Sequence, residues 1–224
     1  KKQIVAKVKS EINKSLTAVV DFSDVDISLI RRFPRLSVRL ENLSVVGTGE
    51  FEKDTLVASR HIDLALNLMS LFKDEMTVYR VDLQSPRIRA LVNEDGKANW
   101  DIAKTDTSAT PTDDADTSAT HFKMRLDHYS IKDGYIYYND ETANMTAEIS
   151  GLNHEGSGDL TADVFTLSTK TVSDAVYFSY EGIPYINNFR TTINSDIHID
   201  NKIGKYSFQN CDLAMNDLKL NADG

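Results

Sequence analysis

The residues able to do chemistry are plentiful but scattered. Five histidines, His61, His121, His128, His154 and His198, lie far apart along the chain. None stands at the close His/Glu or Cys/Cys spacing that a metal site requires. His198 sits in an alternating run between Ile197 and Ile199 and is expected on a polar face, and His154 adjoins a Glu-Gly-Ser-Gly stretch read as a turn. The single cysteine, Cys211, cannot form an intrachain disulfide, and its alternating apolar setting predicts a small buried hydrophobe rather than a catalytic thiol. A glycosidase-like carboxylate pair could be assembled from Asp133, Asp140 and Glu141. Such a pair must face across a cleft with divergent pKa values, whereas these residues flank a Gly-Tyr-Ile-Tyr-Tyr run where turn and strand-edge roles account for them. There is no P-loop, no Gly-x-Gly-x-x-Gly after a strand and no Gly-x-Ser-x-Gly elbow. The sequence therefore assigns no catalytic residue, no cofactor and no metal.

Charge excludes a second class. Arg31, Arg32, Arg35, Arg39, Arg60, Arg87 and Arg89 could be imagined as a basic patch, but on alternating strands they are expected to form a solvated face and to pair with Asp and Glu across strands. The net charge of −9 and a pI near 5.0 argue against a nucleic-acid surface, which needs cations to displace phosphate counterions.

The elements that would position any site are mostly strands. Residues 1–17 carry Ile4, Val8, Ile12 and Leu16 at every fourth position, which predicts a helix with a narrow apolar stripe. Five lysines stand in it against Glu11 alone. After Thr17 the period changes to two. Leu36, Val38 and Leu40 alternate with polar residues, and Leu43 and Val45 resume out of phase, as a bulge would produce. Ile62, Leu64, Leu66 and Leu68 repeat the pattern, as do Ile136 and Tyr138, Met145 to Ile149, Ile193 to Ile199, Tyr206 and Phe208, and Leu213 to Leu220. Such runs, punctuated by Gly, Asn and Asp, read as antiparallel strands with one apolar face. Ser70 to Asp74 is expected to form a single turn.

Residues 104–120 break the rhythm. Asp-Thr-Ser-Ala-Thr occurs twice, at 106–110 and 116–120, and no large apolar residue lies between Ala103 and His121. Such a stretch cannot offset its ordering entropy by burial, so a flexible linker is expected there, dividing the sheet into portions 18–103 and 121–224. No run approaches the ~20 apolar residues of a spanning helix. The chain opens on Lys1-Lys2-Gln3 and closes on Asn221-Ala222-Asp223-Gly224, so both ends read as cut from a longer protein.

Two stretches are more specific than composition. Phe33-Pro34-Arg35-Leu36-Ser37-Val38-Arg39-Leu40-Glu41-Asn42-Leu43-Ser44-Val45 resembles a strand near the start of AsmA family proteins. Ser85-Pro86-Arg87-Ile88, leading into Asn93-Glu94-Asp95-Gly96-Lys97-Ala98-Asn99-Trp100, is similar to the family's "P-x-I … N-x-D-G-x-x-N-W" signature. Ile131 to Asp140 resembles the strand that follows the family's linker. In physical terms Asn93 to Gly96 is a hairpin-type turn closed by positive φ at Gly96; Asn99 can bond the turn's backbone and Trp100 can cap the apolar face. Phe33, Pro34, Pro86, Asn93, Asp95, Gly96, Asn99 and Trp100 are thus architectural.

The resemblance implies a non-enzymatic periplasmic body of β-strands, held to the inner membrane by an anchor before Lys1 and serving outer-membrane biogenesis. The expected fold is a curved, twisted antiparallel sheet, open and groove-like, with one N-terminal α-helix. The expected partner is phospholipid or acyl chains on an apolar groove, for which Leu64, Leu66 and Leu68, with Ile88 and Ala90 on a neighbouring strand, are the candidates. The alternative is a β-sandwich binding or adhesion module of the cell surface.

Overall fold

The computed structural model describes residues 5–6, 9–10, 13–14, 16–29, 35–69, 75–102 and 121–224. Twelve strands form one sheet: β1 (Val19–Asp21), β2 (Asp24–Leu29), β3 (Arg35–Val46), β4 (Thr55–Asn67), β5 (Glu75–Gln84), β6 (Arg87–Val92), β7 (His121–Asp140), β8 (Met145–Asp159), β9 (Val164–Tyr180), β10 (Ile183–Asp200), β11 (Lys205–Met215) and β12 (Leu218–Ala222). The lateral order is β1-β3-β4-β5-β7-β8-β9-β10-β11-β12, with β2 beside β3 and β6 between β4 and β7. The path does not close on itself, and no second sheet faces it among the described residues. That architecture removes the β-sandwich alternative, which needs two packed sheets.

The sheet is mixed rather than antiparallel throughout. β7 runs parallel to β5 and then to β6, while the other pairings are antiparallel. A parallel neighbour needs a crossover of about a dozen residues or more, and 93–120 between β6 and β7 is long enough. The same pairing joins the portions 18–103 and 121–224 into one sheet. The linker expected at 104–120, the turn expected at 70–74, and Phe33 and Pro34 lie outside the described residues. So does most of the expected helix over 1–17. Only the isolated pairs Val5-Ala6, Lys9-Ser10 and Asn13-Lys14 carry helical backbone, and no α-helix is among the described elements.

A line of left-handed residues crosses the strands. Asn42, Ser85, Asp133, Gly151 and Asn188 have φ of 50°, 48°, 51°, 60° and 56°. Asn42, Ser85 and Asp133 each follow a residue of one lateral row, Glu41, His61, Gln84 and Lys132. The phase change that the sequence shows between Leu40 and Leu43 sits at Asn42. Asn and Asp tolerate this conformation because a short polar side chain can bond locally, as Asn42 does through Nδ2 to the Ser23 hydroxyl at 2.9 Å. At the Ser85–Pro86 step, β5 ends and β6 begins without leaving its place between β4 and β7. The Ser85 N–H donates to the Lys132 carbonyl at 2.8 Å, the Pro86 carbonyl accepts from Tyr135 at 2.8 Å, and Pro86 itself is fully buried. A proline fits here because its missing N–H falls at the break between two ladders.

The Glu-Gly-Ser-Gly stretch is strand, not turn: Glu155 to Gly158 belong to β8. The glycines are there to be crossed. A Cβ on Gly156 would come within 2.5 Å of the Tyr129 hydroxyl, and one on Gly158 within 3.0 Å of Leu167. The buried core is small, with Leu66, Val78 and Leu126 as its cluster and Val38, Leu64, Val81 and Tyr129 packed around it.

Candidate functional site

Cross-strand register shows what the sheet presents. Side chains directly opposite on paired strands share a face. One row reads Val25, Leu40, Ile62, Leu83, Ile131, His154, Thr171, Ile193, Leu213 and Leu220, crossing ten strands without a charged side chain. At ~4.8 Å per strand, those nine steps span about 43 Å. The adjacent row, on the opposite face by pleat alternation, reads Asp26, Arg39, Asp63, Asp82, Ser130, Glu155, Lys170, Asn194, Asp212 and Asn221. The sheet is therefore amphipathic across its width. Most members of the apolar row are only partly buried: Val25 lies inside, Leu220 is exposed, and the rest fall between. No described element covers them.

The sequence candidates split across the line of left-handed residues. Leu64 and Leu66 oppose Val38 and Leu36 on one side and Val81 and Val78 on the other. Leu66 is only 7% exposed and belongs to the core cluster, while Leu64 is partly buried beside it. Leu68 follows β4 and is half-buried. Ile88 and Ala90 lie towards the other end of β4, where Ile88 opposes Val57 and Ile136, and Ala90 opposes Tyr138. The structure thus places these five in two groups. Missing from the candidates were Leu83, Ile131, Ile193 and Leu213. Each stands in a strand-like run, but only the register joins them into a row.

Ion pairs account for four of the seven arginines. Arg39 grips Asp63 through both carboxylate oxygens, at 2.6 and 2.9 Å, and Arg35 reaches Asp127 at 2.8 Å. Arg87 and Arg89 stand within 3.9 Å of Asp133 and 3.6 Å of Asp54, and their guanidinium groups lie over the rings of Tyr135 and Tyr137. These pairs are exposed, so each adds little stability. They engage four of the seven arginines that a basic patch would draw on, and Arg31 and Arg32 lie outside the described residues.

The remaining chemical candidates have structural roles. Asp140 accepts from the Thr142 hydroxyl at 2.6 Å and the Ala143 N–H at 3.0 Å, capping the β7–β8 turn, and these bonds hold its carboxyl below the usual range. Asp133 accepts from the Ser85 hydroxyl at 3.0 Å. His198 contacts the Thr166 hydroxyl at 3.3 Å on the polar face. Cys211 is free and only half-buried, because β11 lies next to the exposed edge strand β12. Among the described residues no group of His, Cys, Asp and Glu could hold a metal ion, and no helix is long and apolar enough to cross a membrane.

The signature at 85–100 builds the end of β6. The Gly96 N–H donates to the Asn93 carbonyl at 2.9 Å, and Gly96 has φ of 75°, the conformation expected of it. Gly96→Val should cost about 1–3 kcal/mol because a β-branched residue is strained there; an unchanged midpoint in thermal unfolding would refute that. Asn99 bonds the β6 backbone rather than the turn, accepting from the Leu91 N–H at 3.0 Å and donating to the Arg89 carbonyl at 2.7 Å. Trp100 stays 45% exposed and meets the Tyr138 ring at 6.1 Å between centroids, so it edges the sheet more than it caps it.

A single open sheet with one apolar and one charged face, and no catalytic constellation among its described residues, defines a β-rich protein built on one mixed sheet. The AsmA family model matches residues 1–168, and the chain belongs to that family. No curated protein matches it. The matched span contains all three stretches that carry the resemblance, and membership fits a β-rich envelope protein of a family not known for enzymes.

Proposed function

We propose that this chain is a non-enzymatic, lipid-handling body of the cell envelope, in which acyl chains lie along the apolar face. In this reading it works in the periplasm, anchored to the inner membrane, as part of an AsmA-like factor for outer-membrane biogenesis. The observation that carries the proposal is the ten-strand row from Val25 to Leu220, apolar at eight positions and left partly exposed. Soluble surfaces seldom leave so long an apolar run uncovered without a ligand or partner. An acyl chain gains ~0.8 kcal/mol per buried methylene, so about fourteen methylenes offer on the order of 10 kcal/mol before ordering costs. The charged opposite face keeps the same sheet in contact with water.

Native mass spectrometry of the protein purified from cells tests this directly. Phospholipid should remain bound and should leave on delipidation. Protein that carries no lipid from any membrane preparation, and takes none up from phospholipid vesicles, would reject the reading.

A further inference from the structure

The apolar face is interrupted at one place, and the interruption is polar without being charged. On β8, β9 and β10 the row runs through His154 and Thr171 before returning to Ile193. The next row on the same face runs from Val81 through Tyr129, Gly156 and Thr169 to Ser195. We propose that Tyr129, His154 and Ser195 bind the glycerol-ester end of an acyl lipid whose tail lies along the stretch from Ile131 to Val25. The inference rests on the acyl-binding reading and names the polar part of that ligand.

Hydrogen bonding supports it. The Thr171 hydroxyl meets His154 Nδ1 at 2.8 Å, and the Thr169 hydroxyl donates to the Ser195 carbonyl at 3.2 Å. With Thr171 assigned as donor, the neutral imidazole carries its proton on Nε2, which no group among the described residues bonds. Burial lowers the pKa of His154 against the opposing pull of Glu155, which favours the neutral imidazole. The Ser195 Oγ is buried with no partner in a residue only 7% exposed. Among the described residues the Tyr129 hydroxyl also has no hydrogen-bond partner, and its ring lies 5.3 Å from that of His154. Gly156 is what lets Tyr129 cross β8, since any Cβ there would strike its hydroxyl. The Ser195 Oγ is already cut off from water, and the Tyr129 hydroxyl and His154 Nε2 become costly in the same way once a tail excludes water, unless the ligand bonds them.

The chemistry selects the ligand group. Neither row carries Lys, Arg, Asp or Glu from β3 to β10, so the groups within the two rows are neutral and suit ester and hydroxyl oxygens, while Lys132, Glu155 and Lys170 also line the cavity at His154. Length agrees as well. From Ile131 to Val25 is four strand steps, about 19 Å at ~4.8 Å each. One leaflet of hydrocarbon is about 15 Å, half of the ~30 Å bilayer core, so a single tail fits that arm.

The test compares monopalmitoylglycerol with hexadecane, each displacing N-phenyl-1-naphthylamine from the full chain. A Tyr129→Phe/Ser195→Ala double variant removes two oxygens and leaves the carbon skeleton in place. It should bind hexadecane as the wild type does but hold monopalmitoylglycerol about tenfold more weakly, the loss of one to two neutral hydrogen bonds. His154→Leu should shift the ester affinity in the same direction. Unchanged ester binding in both variants overturns the notch while leaving the apolar track standing. An equal loss for both probes also overturns it, because the oxygens would then serve the fold. Failure of both probes to displace the dye from wild type overturns the acyl-binding reading and the notch with it, and displacement by hexadecane alone overturns the notch.

Discussion

Leu66→Asp should unfold the protein, whereas Ile62→Asp, two pleat repeats away on the same strand, should leave it folded and unable to hold lipid. Both side chains come from β4 and both oppose apolar partners, Leu36 and Val78 for Leu66, Leu40 and Leu83 for Ile62. They differ in what lies above them. Leu66 is 7% exposed and clusters with Val78 and Leu126, so aspartate there loses the packing of a core leucine and buries an unpaired carboxylate. Deleting such a leucine alone costs about 2–5 kcal/mol, and the charge adds several more unless water enters. That is comparable with the whole stability of a typical domain, about 5–15 kcal/mol. Ile62 is partly exposed and a carboxylate can stay hydrated, so its cost should be about 1–2 kcal/mol. An acyl chain crossing that position would have to dehydrate the charge, and binding should fall well below detection. Circular dichroism and uptake of a fluorescent fatty acid read the two effects separately. A folded Leu66→Asp variant would show that the cluster is not a core. An Ile62→Asp variant that still takes up lipid would remove this row from the binding surface.

How much of this was legible beforehand depends on the range of the interaction. Period-two alternation is local, so the strands of β3, β4, β10 and β11 could be seen in Leu36 to Leu40, Ile62 to Leu66, Ile193 to Ile199 and Leu213. The phase change at Asn42 was visible for the same reason. Register is not local. Leu83 and Ile131 become neighbours only because β7 lies parallel to β5, a pairing that depends on the path of the chain between β6 and β7. Reading the sheet as mostly antiparallel, with no parallel pair assigned, missed that crossover, and placing Leu64 with Ile88 joined two positions that oppose different parts of the sheet. Gly156 shows the same limit. Beside Glu155 and Ser157 it has the composition of a turn, and only the Tyr129 ring above it explains why a strand needs a glycine there. His154 could be seen as an isolated histidine, but not as the polar break in an apolar row.

The signature residues were legible in identity and only partly in role, and Asn99 shows the difference. Its side chain does the work of an added strand: Oδ1 accepts from the Leu91 N–H, Nδ2 donates to the Arg89 carbonyl, and its own N–H donates to the Leu91 carbonyl at 2.9 Å. Asn99 is 3% exposed, so water has little access to replace these bonds. Asn99→Ala should leave one N–H and one carbonyl of β6 without partners. Each buried orphan costs about 1–3 kcal/mol, which puts the expected loss for the two at about 2–6 kcal/mol, larger than for Gly96→Val. Asn99→Asp separates the two bonds, because a carboxylate still accepts from Leu91 but can no longer donate to Arg89. It should therefore destabilise by at least as much as alanine, since it sets a buried charge against a carbonyl oxygen. Hydrogen exchange gives the local readout. In Asn99→Ala the Leu91 amide should lose protection ahead of the amides of β4 and β7, since it alone among these was held by the asparagine. If Leu91 keeps wild-type protection and the unfolding midpoint does not move, the Asn99 side chain is not what secures this edge of β6.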